Sequence, residues 1–327
     1  MSLENVFDES RGCRESKVNR FFSFKIGGES PYKLNTNQFF FHSRGFLSNQ
    51  NVISFYILDN KMNVCEGLMH IAIQEEIGYS PLRAPFGSLV VNKTIAPSIL
   101  NEFLEIIIDW CRENGLKALK IKHYPNCYDP EGSVLIQNAL FNNGFLLTNS
   151  DIGQYIEVDP ASHEFSRSAR IKINKCKKAG FRFERLRISK IREVFDLLKR
   201  CKDRKGYPTN MNLEELEDLV HRFPGHYLIF GVTDDEKLIS ASICVVVNSE
   251  ILYDFSHGHV WEYGKFSPVT LLVEGIINYC RQEKYQILDL GLSTEYSIIN
   301  NGLYDFKSRL GSRASLKFTY TRKLNTK

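Results

Sequence analysis

Apolar residues, β-branched and aromatic ones among them, dominate NVISFYIL and recur through NVCEGLMHIAIQEE, with the polar turn Asp59 to Asn63 between them, a pattern that predicts two antiparallel strands. An extended RAPFGSLVV follows. Pro97 and Ser98 then open a segment with apolar residues at helical spacing, proline being well suited to a first helical turn. The same order returns later in the chain. HYLIFGVT, the turn DDEK, LISASICVVV and ILYDFSHG predict a three-strand meander, and a second helix begins near Ser267 and Pro268.

Two segments make this recurrence specific. EIIIDWCRENGLKALKI, from Glu105, aligns without gaps on EGIINYCRQEKYQILDL, from Glu274, with Glu, two Ile, Cys, Arg and a later Leu in common and Trp110 over Tyr279. Each reads as an amphipathic helix that runs into a short strand, the helix-to-parallel-strand step of an α/β unit. The chain therefore reads as a duplication, with an N-terminal domain and its extension over 1–159 and a C-terminal domain over 160–327. The second is entered by a basic helix from about Glu164 to Ala179, closed by Gly180.

Composition fits this division. A chain of 327 residues is long for one core and suits two domains of about 150 residues each. A net charge of +4 does not mark the whole molecule as a nucleic-acid binder, and no DNA partner is expected. Eight cysteines stand without a CxxC pair or a Cys/His cluster, which predicts reduced thiols, no disulfides and no structural metal. The start, MSLENVFDESRGCRESK, is acidic where a signal peptide would be basic, and no apolar run nears about 18 residues. A cytoplasmic protein without an integral membrane segment is expected.

Four motifs in order then resemble one family. RAPFGS at Arg83 to Ser88, SARIKINKCKKAGF, the helix SPVTLLVEGIINYC followed by YQILDLG, and NGLYDFKSRLG from Asn301 to Gly311 resemble the FemAB/FemX-like branch of the GNAT-type acyltransferases, with a BioF2-like acetyltransferase domain. The resemblance covers most of the chain from about Val52. It implies an α/β fold, a mixed sheet with flanking helices, as two tandem GNAT-like domains. It also implies transfer of an acyl or aminoacyl group to an amine of a sugar-linked or peptide precursor of the cell envelope. The donor, acyl-CoA or aminoacyl-tRNA, is then a co-substrate and no cofactor is held. The acceptor is a small molecule or is linked to a nucleotide sugar, and tRNA is a partner where it carries the donor. One departure stands out: neither VVNKTIAPS nor HVWEYGKFSPV carries the glycine-rich loop that holds CoA pyrophosphate at a helix N-terminus, although Lys93 or Lys265 stand there. A CoA-dependent N-acetyltransferase with an unusual donor loop and a non-catalytic binding module therefore remain as alternatives.

The chemistry of acyl transfer needs a neutral amine, donors for an oxyanion and a protonated leaving group. The resemblance puts the reacting group where the sheet of the second domain splays, between strand ends carrying Tyr253, Asp254 and His257 on one side and Asp289 and Glu295 on the other. Asp254 or Asp289 is the expected base. His257 and His259 flank a glycine but have no third ligand, so a zinc site is not expected. In the C-terminal stretch, Asn301 and Gly302 are read as a turn that ends the cleft, Phe306 as an anchor, and Tyr304 and Lys307 as catalytic. Arg309 is read as a solvent-facing charge. Arg170, Lys175 and Lys178 on the basic helix are the cations expected to meet phosphate on donor or acceptor.

Overall fold

The computed structural model describes residues 14–17, 21–36, 39–48, 50–207 and 211–324. The chain forms two units: one ends at Ser150 and takes up the chain again from Leu316, and the other is Asp151–Ser315.

In the first unit, β1 (Phe22–Ile26), β2 (Val52–Asp59) and β3 (Val64–Gln74) pair antiparallel. The polar turn between β2 and β3 is held by Asp59, whose Oδ1 accepts from the N–H groups of Lys61 and Met62 at 2.8 and 3.0 Å. The long strand β3 then serves two partners, β4 (Ile77–Ser80) near its end and β5 (Leu89–Val91) at Gly67 to Met69. Helix α1 (Pro97–Glu113) has proline in its first turn and buries Ile99, Phe103, Ile107 and Trp110, one stripe at helical spacing. It leads into β6 (Ala118–Lys122), parallel to β4, and then to α2 (Pro130–Asn142), capped by Asp129. The strand β7 (Leu146–Glu157) carries the chain from this unit into the next.

The second unit opens with α3 (Arg167–Lys178), the basic helix, with Ser166 as its N-cap and Gly180 at φ +85° just beyond its end. Only Ala169, Ile173 and Cys176 are buried on it, so most of its charges are solvated. Then come β8 (Arg182–Leu186), α4 (Ile191–Lys205), α5 (Leu213–Arg222), and the meander β9 (Tyr227–Asp234), β10 (Lys237–Val246) and β11 (Ile251–His259). Helix α6 (Pro268–Gln282) and strand β12 (Ile287–Leu292) follow, then α7 (Asn301–Arg309) and β13 (Arg313–Lys323). The sheet of this unit runs β8, β9, β10, β11, β12 and the second half of β7, with β11 and β12 as its parallel pair. Leu272, Ile276 and Cys280 of α6 pack into a core with Phe230, Leu252 and Leu288.

The predicted order of elements is therefore present in both halves, with α1 and β6 in the places that α6 and β12 hold. One element behaves differently from a simple break near residue 159. From Leu316 on, β13 joins the first unit and pairs antiparallel with β6, Thr319 opposite Lys122 and Lys323 opposite Ala118. Periodicity marks β13 as a strand but does not name its partner, because pairing is decided by sequence-distant edges.

Candidate active site

The parallel pairing of β11 and β12 is brief. Ile251, Leu252 and Tyr253 face Ile287, Leu288 and Asp289, and there the two strands part. Beyond that point β12 passes through Gly291 at φ +73°, and its Leu292 pairs with Gly153 of β7. A left-handed residue in a strand bends the ladder, and glycine adopts it without steric cost. Strands that separate leave main-chain groups in the gap that need partners. Asp289 Oδ1 accepts the N–H of Gly291 at 2.7 Å, and the carbonyls of Gly291 and Leu292 accept from Lys307 Nζ at 3.0 and 2.7 Å.

Lys307 reaches this gap from α7. Asn300 caps the helix, its Oδ1 accepting from the N–H of Leu303 at 3.0 Å. Gln154 ties the helix down: its Nε2 donates to Tyr304 O, Ser308 Oγ and Ser312 Oγ, and its Oε1 accepts from Ser293 Oγ. Lys307 is 2% exposed as a result. Burial lowers its pKa from 10.5 to about 8, although the charges of Asp289 and Asp254 act in the opposite direction. Lys307, read from the sequence as catalytic, thus faces inward while its neighbours Ser308 and Arg309 are exposed. An ammonium with three protons and two main-chain acceptors keeps one proton for another group.

Across the gap, β11 contains a bulge. Ile243 of β10 pairs with Ser256 and the next residue, Cys244, pairs with Asp254, so Phe255 is the extra residue. Residues three apart on a regular strand point to opposite faces, and the inserted residue brings Asp254 and His257 onto one face. His257 Nδ1 then lies 2.6 Å from Asp254 Oδ2, while Ser242 Oγ donates to Asp254 Oδ1 at 2.6 Å. The Asp254 side chain has no exposure and that of His257 keeps 19%. The buried carboxylate reaches neighbours but not solvent, and the imidazole is the group that meets the gap. Its ring centroid is 6.5 Å from that of Phe306 on α7.

The structure thus brings Tyr253, Asp254, His257, Asp289, Phe306 and Lys307 together. The Tyr253 phenol is raised above its usual range by burial, with Asp289 and Asp254 adding to it. Phe306 packs partly buried on the core of the unit. Tyr304 is half-buried one turn before Ser308 on α7. Glu295 is exposed in a short strand, Thr294–Glu295, that pairs with Ile298–Ile299. Asn301 and Gly302 are not a turn but the opening residues of α7, since Asn300 supplies the cap, and Asn301 is exposed. On the basic helix, Arg170 pairs with Glu164 at 2.5 Å and Lys175 Nζ donates to Lys265 O at 2.8 Å, over the ring of Phe266. Lys178 is exposed at the helix end, so these three cations do not converge on one point. Ser242, Gln154 and Ser293 carry the site's hydrogen bonds and went unread in the sequence, where isolated serines and a glutamine give no periodic signal. Among the described residues no group of three His, Cys, Asp or Glu side chains forms a metal site.

Residues 163–308 match the model of the acetyltransferase (GNAT) domain family. The second unit carries a GNAT domain. The fold of the longer chain is FemX-like: FemX superposes with a TM-score of 0.67 over 89% of this chain and 94% of FemX, at 13% identity. A conserved protein of unknown function from Bacteroides thetaiotaomicron superposes at 0.58, covering 90% of this chain and 95% of its own, with 11% identity. The L-PGS of Bacillus licheniformis superposes at 0.54, covering 80% and 82%, also with 11% identity. No curated protein matches the sequence. The chain is thus a tandem of two GNAT-like α/β units, and the splay of β11 and β12 lies in the unit that the GNAT model covers. Among the described residues no helix is long and apolar enough to cross a membrane.

Proposed function

We propose that the second unit transfers an acyl or aminoacyl group to the amine of a sugar-linked or peptide precursor of the cell envelope, in the cytoplasm, with Lys307 and His257 as the catalytic pair. The observation that carries this reading is the buried Lys307 ammonium at the floor of the β11/β12 splay, opposite an imidazole held by a carboxylate. A tetrahedral intermediate places negative charge on the former carbonyl oxygen, and a buried cation with one uncommitted proton stabilises that oxygen strongly.

The amine lone pair attacks the donor carbonyl carbon and forms the C–N bond, while the excess proton on nitrogen passes to His257 Nε2. Asp254 fixes the proton on Nδ1 and so leaves the Nε2 lone pair free. Collapse of the intermediate breaks the bond to the ribose oxygen or CoA sulfur, which takes the proton back from the imidazolium. Both oxygens of Asp254 are engaged, Oδ1 by Ser242 and Oδ2 by His257, so it acts as a positioning residue.

Aminoacyl-tRNA fits the donor end better than CoA. The start of α6, where CoA pyrophosphate would sit by resemblance, offers Pro268 without an N–H and buries Val269 and Thr270, with the N–H of Thr270 bonded to Ser267 O at 2.9 Å. Transfer assays with a set of aminoacyl-tRNAs and with acetyl-CoA, each against UDP-linked cell-envelope precursors, test the reading. Product from aminoacyl-tRNA is expected. Product from acetyl-CoA alone would make the chain a CoA-dependent N-acetyltransferase, and saturable donor binding without product would make it a binding module.

A further inference from the structure

Apart from the splay, the second unit has a concavity of about 540 Å³ between the later turns of α4, the start of β10 and the end of β11. Arg200, Arg204 and Lys205 of α4 line it, with Lys237 of β10 and Trp261 just past β11. The floor is apolar, formed by Leu197, Leu238 and Val260.

Its charge is unbalanced. Among the described residues none of these four cations is in an ion pair, whereas Glu193, one of two carboxylates on the rim, is held by Lys190 at 2.7 Å. Arg200 and Arg204 are one helical turn apart, and like charges at that spacing repel. The positive field reaches His259 on the same wall, whose pKa burial lowers first and Lys205 lowers further. An anion placed here relieves repulsion that the folded chain otherwise bears.

The second feature is a flat platform. Trp261 is 61% exposed, and the Arg204 guanidinium carbon sits 3.9 Å from its ring centroid. A large exposed indole with a stacked guanidinium is a surface on which another planar ring gains stacking and cation–π energy. Concave shape, apolar floor, unpaired cations and an aromatic face together match a ligand that is flat at one end and anionic at the other. We propose that this concavity binds a nucleoside phosphate, as a free nucleotide or as a nucleotide of an RNA strand.

The two tryptophans make the test direct, because Trp110 is buried in the other unit while Trp261 lines the concavity. In full-length protein carrying Trp110→Phe, the emission of Trp261 is followed during titration with ADP, adenosine, inorganic phosphate and a hexaribonucleotide at about 50 mM salt. ADP is expected to quench saturably with a Kd below about 1 mM, and adenosine or phosphate alone to bind at least about tenfold more weakly. Arg204→Met and Lys205→Met, both on exposed side chains, are each expected to weaken ADP by roughly tenfold at unchanged melting temperature. A hexaribonucleotide that binds far more tightly than ADP, with steep salt dependence, assigns the concavity to RNA, and equal affinity assigns it to a free nucleotide. Unsaturable quenching by both ADP and the hexaribonucleotide, or equal affinity in the wild-type protein and both Met variants, overturns the proposal.

Discussion

His257 Nδ1 stands 2.6 Å from Oδ2 of Asp254, a carboxylate with no exposure of its own. If the acid exists to hold the imidazole, Asp254→Asn and His257→Gln remove the same function by different routes. Each is expected to lower kcat by about 10² or more with an alkylamine acceptor, the usual scale of general-base catalysis. The adduct of hydroxylamine is more acidic than that of an alkylamine, so with hydroxylamine both variants should recover part of the loss, and what remains is the proton that the imidazolium returns to the leaving group. Imidazole nitrogen NMR gives a readout independent of turnover: the Nδ1–H tautomer of His257 is expected in the wild-type protein and not in Asp254→Asn. A His257→Gln enzyme as slow with hydroxylamine as with an alkylamine would make the dyad structural.

The first unit should be sensitive to acid. Burial lowers the pKa values of His42 to about 4 and of His70 and His123 to about 3, with the charge of His42 adding to the effect on the other two. Their folded pKa values lie below the ordinary 6.5, so the unfolded chain binds more protons than the folded one as pH falls. The contribution of these neutral rings is complete above pH 6.5 and is lost from there toward pH 3 to 4. With three rings the slope approaches about 4 kcal/mol per pH unit once the unfolded rings are charged. Urea unfolding at pH 7, 6 and 5 should show midpoints that fall increasingly steeply. A midpoint unchanged between pH 6.5 and 5 would remove these rings from the account.

The sequence announces what depends on local pattern. Pro97, Pro268, the Asp59 turn and the helix-to-strand repeat each carry a backbone or periodic signal, and each element stands where that signal puts it. The site is less legible because its geometry rests on exceptions to period. One extra residue, Phe255, turns Asp254 and His257 to a common face, and no count of alternating residues contains it. The local pattern does not say which way Lys307 turns: Gln154, distant in sequence, anchors α7 with Lys307 facing inward. The FK pair and the two acids were visible as residue types; their arrangement came from tertiary contacts.

Gly275 offers a packing test. A methyl group there would meet Phe183 Cγ at 2.1 Å, closer than any packed pair of carbons, so β8 lies against α6 only because the helix is bare at that point. Gly275→Ala should destabilise the protein by about 1–3 kcal/mol, the range for overpacked cores, despite the better helix propensity of alanine. Adding Phe183→Ala should return part of that loss, since the clash is with Cγ, Cδ1 and Cδ2 of the ring, atoms that alanine lacks. A double variant no more stable than the sum of the two single effects would locate the strain elsewhere.

Lys307→Met separates charge from packing in the splay. The aliphatic stem is retained, and two opposing terms change together. The carbonyls of Gly291 and Leu292 lose their donor, which costs on the order of 1–3 kcal/mol for buried groups. The variant also escapes the burial that lowers the pKa of Lys307 from 10.5 to about 8, a penalty on the order of 3 kcal/mol at neutral pH. Stability at pH 7 should therefore differ little from wild type, while turnover falls by roughly tenfold to a hundredfold with the loss of a charge-assisted hydrogen bond to the oxyanion. The sign of the pH dependence is specific. With its folded pKa lowered, Lys307 is best accommodated when neutral, so the wild-type protein should gain stability over Lys307→Met as pH rises from 8 toward 10.5 and should gain nothing below 8. Arg309→Met, on the same helix but solvent-exposed, should change neither turnover nor this difference. Equal turnover in the two variants would deny Lys307 a part in the chemistry, and a stability difference that stays flat from pH 7 to 10.5 would mean that its ammonium is not buried as the structure has it.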